Sequence, residues 1–244
     1  CTSKYEEGPR RGPAVVLVIH ETEPASYGWA TVKSSNTNTM FDIVRQNPAS
    51  EHAPIEGWIQ RDTAVELFRA AGLDYEAPKQ AAKRRDFRPV DLKSTFSADV
   101  DAKTEVITSY NVAGILPGTE RPEETVIYTA HHDHIGIGQP DANGDRIFNG
   151  ALDNATGIAQ ILERARAFAK APRTERSVLF LAVAAEEKGL LGTEYYVANP
   201  LYPLSQTVAV LNTDSMAPYG PARNFSIAGT ADLVLLDLLK AGGT

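Results

Sequence analysis

Apolar positions along the chain fall into two kinds of stretch. Short continuous runs rich in β-branched residues occupy 14–20 (Ala-Val-Val-Leu-Val-Ile-His), 125–130 (Thr-Val-Ile-Tyr-Thr-Ala), 177–184 (Ser-Val-Leu-Phe-Leu-Ala-Val-Ala) and 207–212 (Thr-Val-Ala-Val-Leu-Asn). Their length and composition predict buried strands. Spaced apolar positions follow at Ile158, Ile161, Leu162, Ala165 and Phe168, which predict a helix over 154–170 with one buried face. Shorter helices are expected over 189–198 and 233–239, with a further strand over 225–228. Near-continuous apolar strands alternating with helices predict an α/β fold, a mostly parallel sheet with helices on both faces.

The first ninety residues read differently. Segment 21–56 is rich in Pro, Ser, Asn and Thr and weakly periodic, which predicts loops with at most short strands. So long an irregular stretch is unusual within a compact catalytic core and points to an accessory module. Asp62 is placed to cap a helix over 63–71, with Gly72 as its stop. A second short helix over 75–85 is expected to break early at Pro78. Segments 92–100 and 105–116 alternate like edge strands, and a Pro117-Gly118 turn follows. These changes place a domain boundary near residue 92, dividing the chain into 1–92 and 93–244.

Composition narrows the function classes. The chain has 244 residues, 43% hydrophobic and 23% charged, as in ordinary globular proteins. A net charge of -7 and the lack of a basic block exclude a nucleic-acid surface. No apolar run approaches the roughly 20 residues needed to span a bilayer. Cys1 is the only cysteine, so neither an internal disulfide nor a thiolate metal cluster is expected. Any metal must rest on His, Asp and Glu. The first residue is Cys rather than Met and is read as a fragment edge, with a lipid-bearing Cys1 as the alternative.

The chemistry gathers at the strand ends. In open α/β sheets, ligands bind at the carboxyl ends of strands. His131 and Asp133 follow the strand 125–130, Glu186 and Glu187 follow 177–184, and Asp214 follows 207–212. Asp153 immediately precedes the helix 154–170. Four acidic or imidazole clusters at one end of a sheet predict a shared site for two divalent metals. Ligands of this kind without Cys suit zinc, cobalt or manganese, and a carboxylate can bridge two such ions. In the adjacent pair Glu186-Glu187, one carboxylate can bind metal while its neighbour takes a proton from water.

Four blocks carry a family resemblance: His131-His132-Asp133-His134, Gly150-Ala151-Leu152-Asp153-Asn154-Ala155-Thr156-Gly157, Ala185-Glu186-Glu187-Lys188-Gly189-Leu190-Leu191-Gly192 and Asn212-Thr213-Asp214. In order and spacing they resemble the motifs of the M28 zinc peptidases, co-catalytic aminopeptidases and their relatives, over roughly 105–244. Residues 1–92 resemble part of the mainly β, protease-associated accessory domain found in some members. Residues 93–244 then correspond to the N-terminal portion of the catalytic domain, of zinc-peptidase (phosphorylase/hydrolase-like) fold. The resemblance implies two zinc ions. His131 and Asp214 would bind one, Asp153 would bridge both, and Glu187 would bind the other. Glu186 would be the general base, and Asp133 would accept a hydrogen bond from His131 and set its tautomer. One further His ligand is expected downstream of Asp214. The five histidines, at 20, 52, 131, 132 and 134, all precede it, so that ligand is expected beyond Thr244.

The implied activity is hydrolysis of peptide bonds with release of N-terminal residues, on peptide or protein substrates and in an exported protein. The alternatives are a non-catalytic binding or receptor-type domain on the same fold, carboxypeptidase action, and glutaminyl cyclisation. Strand alternation puts His132 on the side opposite His131, where it reads as a pocket wall or packed residue, and His134 reads as a loop residue. His20 and His52 read as structural, and Tyr195-Tyr196 as helix packing. Segment 141–145 (Asp-Ala-Asn-Gly-Asp) has the flavour of a calcium loop but offers Leu152 where the twelfth-position Glu belongs, so a turn is expected.

Overall fold

The computed structural model describes residues 8, 11–37, 39–138, 140–216, 220, 237 and 241. In chain order its elements are β1 (Val15–His20), α1 (Thr22–Ala25), α2 (Trp29–Asn36), α3 (Pro48–Glu51), β2 (Ile55–Gln60), α4 (Arg61–Ala70) and α5 (Glu76–Ala81). There follow β3 (Val112–Leu116), β4 (Arg121–His131), β5 (Gly136–Ile137), β6 (Ile147–Phe148), α6 (Ala155–Lys170), β7 (Arg176–Val183), α7 (Leu191–Ala198), a 3-10 turn (Leu204–Gln206) and β8 (Thr207–Asn212). The strand expected over 225–228 and, Asp237 apart, the helix expected over 233–239 lie outside the described residues. None of the described helices is long and apolar enough to cross a membrane. The chain forms two compact units, one of residues 1–110 with 185–199, the other of 111–184 with 200–244.

The second unit holds a four-stranded sheet in the order β3-β7-β4-β8. β4 runs parallel to β7 and to β8, and β3 runs antiparallel to β7. The α/β class and the largely parallel sheet are as the apolar runs predict. Five consecutive residues of β7, 177–181, are buried, so both faces of this strand are covered. Its Leu179 is 0% exposed and meets Ile127 across the ladder with β4. Helix α6 packs on β4 and β7, and the rings of Tyr128, Phe168 and Phe180 stand 5.8 to 6.1 Å apart. On that helix Ile161 is buried, whereas Leu162 is 63% exposed. Leu162, expected on the buried face, lies past the edge of the apolar stripe.

Strands were expected over 92–100 and 105–116, but only 112–116 forms one. Val100, Val106, Ile107 and Tyr110 are all exposed. Extended chain becomes sheet only where its backbone donors and acceptors find a partner, and β3 finds one in β7.

In the first unit, β1 and β2 pair in parallel from Val15 opposite Ile55 to His20 opposite Gln60. The connection between them contains three short helices, not the loops expected from its composition. The polar residues that suggest loops satisfy helix carbonyls instead. Ser34 Oγ donates to Thr31 O at 3.0 Å, Asn36 Nδ2 to Val32 O at 2.8 Å, and Thr37 Oγ1 to Lys33 O at 2.7 Å. Residues 1–92 were expected to be mainly β. Their described part instead has two strands and five helices.

Helix α4 begins one residue before Asp62, which sits in its first turn rather than at its cap. It stops at Gly72, whose φ of +76° lets its N–H reach Arg69 O at 2.9 Å while Leu73 N–H reaches Phe68 O at 2.9 Å. Pro78 does not break α5. It occupies the first turn, where its missing N–H has no partner to lose.

Glu21, at the end of β1, accepts hydrogen bonds from Lys79 Nζ at 2.6 Å and Tyr75 Oη at 3.0 Å. The Lys79 bond holds the Glu21 carboxyl below its ordinary value of 4.5, against the opposing effect of burial, and the Tyr75 bond adds to it. Burial first, then the bond to Glu21, pushes the Tyr75 hydroxyl up to about 12.

Two predictions follow from the packing and this ion cluster. Leu179→Ala removes a fully buried side chain from an interior strand and is expected to cost about 2–5 kcal/mol, read as a lowered urea midpoint at unchanged slope. Glu21 is depressed, so its contribution is full above its unfolded value near 4.5 and is lost as pH falls through the folded value. Tyr75 is raised, so its contribution is full below the ordinary tyrosine value of about 10 and is lost as pH climbs toward about 12. Stability should therefore fall at both extremes. In an absorbance titration at high pH, Tyr75→Phe should delete a tyrosine that ionises near 12. An unchanged upper limb would refute the pairing with Glu21.

Candidate metal centre

Three strands of the second unit end together. β4 runs parallel to β7 and β8, with His131 opposite Val183 and Thr129 opposite Asn212, so their carboxyl ends lie side by side. The ladder gains one more bond past β8, from Thr213 N–H to Thr129 O at 2.9 Å. Asp214 follows at once.

His131 is 2% exposed. Its Nδ1 lies 3.1 Å from the backbone carbonyl of Asp133. A carbonyl only accepts, so Nδ1 carries a proton, and a neutral ring then has its lone pair at Nε2. That Nε2 faces Asp153 Oδ1 at 3.1 Å and Asp214 Oδ1 at 3.6 Å. The three donor atoms lie within 4.8 Å of one another. Three lone-pair-bearing atoms converging in this way repel one another unless a cation sits among them, either a proton on Nε2 or a metal ion. One imidazole nitrogen with two carboxylate oxygens is a donor set that zinc accepts at about 2.0–2.2 Å. A tetrahedral arrangement at such lengths separates its donors by about 3.3 Å, between the two His131–carboxylate distances. The residues therefore fit the ion that their types suggest.

Asp133 stands beside the Nδ1 edge of His131. Its carboxylate Oδ1 is 3.6 Å from Nδ1, and its main-chain carbonyl holds the closer position.

The loop carrying Asp153 is shaped by glycine and by one amide. Gly150 has φ +65°, and a Cβ there would stand 2.9 Å from Asp153 O and 2.9 Å from His134 Cβ. Asn154 caps α6, its Oδ1 accepting the Gly157 N–H at 3.0 Å. The same buried side chain accepts the Ser215 N–H at 3.2 Å and donates to Thr213 O at 3.0 Å. Asp214 lies between those two residues. Gly157 is required beside it, because a Cβ would come 2.6 Å from Thr213 O. The Asp153–Asn154 peptide is cis. Sequence reasoning missed this positioning role of Asn154. The available signal was an N-cap amide adjoining a candidate ligand.

Glu186 and Glu187 lie three and four residues past the end of β7, on the segment 185–199 that belongs to the first unit. Both are half-buried. Ala185 (φ 54°) and Leu190 (φ 65°) bracket them in the left-handed region, where a non-glycine residue costs on the order of 1–2 kcal/mol. The turn between is closed by Gly189 N–H and Leu190 N–H, both donating to Glu186 O at 2.9 Å. Of the six residues singled out from sequence, the second unit brings together His131, Asp153 and Asp214, with Asp133 behind them. Glu186 and Glu187 share the turn of the first unit.

The remaining histidines lie as follows, and His132 is not the packed residue expected. His132 is exposed, on the side opposite buried His131. His134 is half-buried with its ring 6.4 Å from Phe148. His20 is buried among the rings of Tyr27, Trp29 and Trp58, and His52 pairs with Asp42 and Glu56. Tyr196 is buried on α7, whereas Tyr195 is exposed. Asp141 Oδ1 accepts the N–H groups of Asn143 at 2.7 Å and Asp145 at 2.9 Å, closing a turn.

Known proteins resemble this chain in sequence. The chain is 30% identical over 201 residues to a protein named "Probable zinc metalloprotease" from Leptosphaeria maculans, covering 82% of this chain and 43% of that one. It is 36% identical over 91 residues to Aminopeptidase YwaD of Bacillus subtilis, covering 37% of this chain and 18% of that one. Among solved structures, BSAP, a zinc aminopeptidase from Bacillus subtilis, matches at 30% identity and a TM-score of 0.35 over 43% of this chain and 24% of that one. The chain thus spans less than half the length of each of these relatives. The sequence model of peptidase family M28 matches residues 111–243, more than half of the chain, and the chain belongs to that family.

Proposed function

We propose that the protein is a two-zinc peptidase that releases N-terminal residues from peptides, and that this chain supplies most of its metal ligands. The observation that carries the reading is the convergence of His131 Nε2, Asp153 Oδ1 and Asp214 Oδ1 within 4.8 Å of one another at the carboxyl ends of parallel strands. In this reading His131 and Asp214 hold one metal, Asp153 bridges to a second, and Glu187 holds the second. The motif resemblance and the family match over 111–243 support these roles. Residues 93–244 form the catalytic part and 1–92 an accessory part of the protease-associated kind. Cobalt or manganese can stand in for zinc on the same ligands. Export of the protein belongs to the same reading, and cell fractionation tests it.

Bound zinc supplies Lewis-acid polarisation of the scissile carbonyl and acidifies water. The chain's own residues do the rest. Glu186 takes a proton from the attacking water at a carboxylate oxygen and passes it to the leaving amine nitrogen. The Asp133 carbonyl keeps the His131 proton on Nδ1, leaving Nε2 as the ligand atom. Asn154 holds Asp153 and Asp214 at a fixed separation, so the ligands need little rearrangement on binding metal.

Elemental analysis of the intact protein is expected to return about two zinc ions per chain. Asp153→Asn, which weakens the bridge, should lower both. Retention of full zinc by that variant would refute the bridging role, and a parent without zinc would favour a metal-free binding domain. Glu186→Gln should keep both ions and lose about 10²–10⁴ in kcat, measured on peptides with a free N-terminus. Peptides blocked at the N-terminus should not be cleaved. Cleavage of these, or cyclisation of an N-terminal glutamine, would move the activity to carboxypeptidase or cyclase chemistry.

A further inference from the structure

We infer that Arg45 is a positioning residue for Glu186 and Glu187, clamping helix α7 through Glu194 and so fixing the turn that carries the two glutamates. The inference rests on the proposed roles of those glutamates and adds to them a part for residues 41–51.

The turn 185–190 does not hold its shape unaided. Ala185 and Leu190 both adopt left-handed φ, and backbone in this state persists where its surroundings over-determine it. Within the segment, hydrogen bonds form a continuous path. Glu194 N–H donates to Leu190 O at 2.9 Å, Leu190 N–H to Glu186 O at 2.9 Å, and Leu191 N–H to Ala185 O at 3.1 Å. Glu194 is thus two hydrogen bonds from Glu186, and whatever fixes Glu194 fixes the turn.

Arg45 fixes it. The guanidinium, with its side chain only 8% exposed, meets Glu194 as a fork, Nη1 to Oε1 at 2.5 Å and Nη2 to Oε2 at 3.0 Å. Two parallel charge-assisted bonds set orientation as well as distance. Asp42 and Glu51 grip the same guanidinium from the other side, Asp42 at 2.8 Å from Nη2. The bond to Glu194, ahead of that to Asp42, raises the Arg45 pKa above its ordinary value. A second contact joins the same two stretches, with Lys188 Nζ 5.6 Å from the centre of the Phe41 ring. Lys188 directly follows Glu187. Segment 41–51 therefore holds the turn's own residue and the helix that closes it. Without Arg45, three carboxylates would face one another with no cation between them, and attraction would become repulsion.

The test uses the intact protein and three variants, Arg45→Met, Arg45→Lys and Glu194→Ala. Two readouts apply: zinc affinities by competition with a chromogenic chelator, and hydrogen exchange at the Gly189 and Leu190 amides. Arg45→Met and Glu194→Ala should each weaken one zinc by about tenfold or more, the range for groups that orient metal ligands, and leave the other unchanged. Both should speed exchange at the two amides. Arg45→Lys, which keeps the charge but not the fork, should recover part of each effect. Should Arg45→Met fail to fold, Glu194→Ala still applies, because it leaves Arg45 paired with Asp42 and Glu51. Variants that fold with unchanged exchange and both zinc affinities intact would overturn the inference. Equal weakening of both ions would overturn it too, since general destabilisation would do that. Faster exchange in variants of a parent that binds no zinc would sink the metal assignment and leave only a structural clamp.

Discussion

Three main-chain groups converge on the side-chain amide of Asn154, and the candidate metal centre depends on them. A buried amide must satisfy both its oxygen and its nitrogen, and leaving either bare costs about 1–3 kcal/mol. Asn154 does so by binding Gly157 within its own helix, and Thr213 and Ser215 after β8. Asp153 is its chain neighbour, and Asp214 lies between the two residues that it binds across the sheet. Two carboxylates that repel each other are thereby tied to one buried side-chain amide. Parallel pairing of β4 with β7 and β8 does the coarser work of bringing strand ends together. The amide does the finer work of setting the spacing.

Much of this was legible in the sequence, for identifiable reasons. The apolar runs at 177–184 and 207–212 report strands because burial leaves no polar alternative. His131, Asp214 and the Glu186-Glu187 pair stand out because they follow strands, and Asp153 because it immediately precedes a helix. The failures share a cause. Ser34, Asn36 and Thr37 suggest loops, yet each turns its side chain back onto a helix carbonyl. Residues 92–111 alternate as strands do, but the pattern cannot report whether a neighbouring strand is present. Asn154 stood inside a recognisable motif, and its partners at 213 and 215 are sixty residues away. Arg45 gives no local sign at all, because its role comes from Glu194, which is close only in three dimensions.

The two sets of supporting contacts differ in kind. Beside His131, Asp153 and Asp214 they are neutral hydrogen bonds made by the buried Asn154 amide. Around Glu186 and Glu187 they run through Arg45 and its partly exposed carboxylates, where ionic strength screens the attraction. The turn carrying Glu186 and Glu187 is thus held by contacts that salt weakens, and the strand ends by contacts that carry no net charge.

The grouping of residues 185–199 with the first unit bears on how such a molecule can be taken apart or assembled. Its boundaries at 110, 184 and 199 mean that neither unit is one continuous stretch of chain. A fragment ending at residue 110 would lack a helix that belongs to it. A fragment starting at 111 would carry that helix without Arg45, which pairs with its Glu194. Exchanging the first unit for one from another protein therefore requires two exchanges at once: one at the front of the chain, and one at the segment downstream of β7 that carries Glu186 and Glu187.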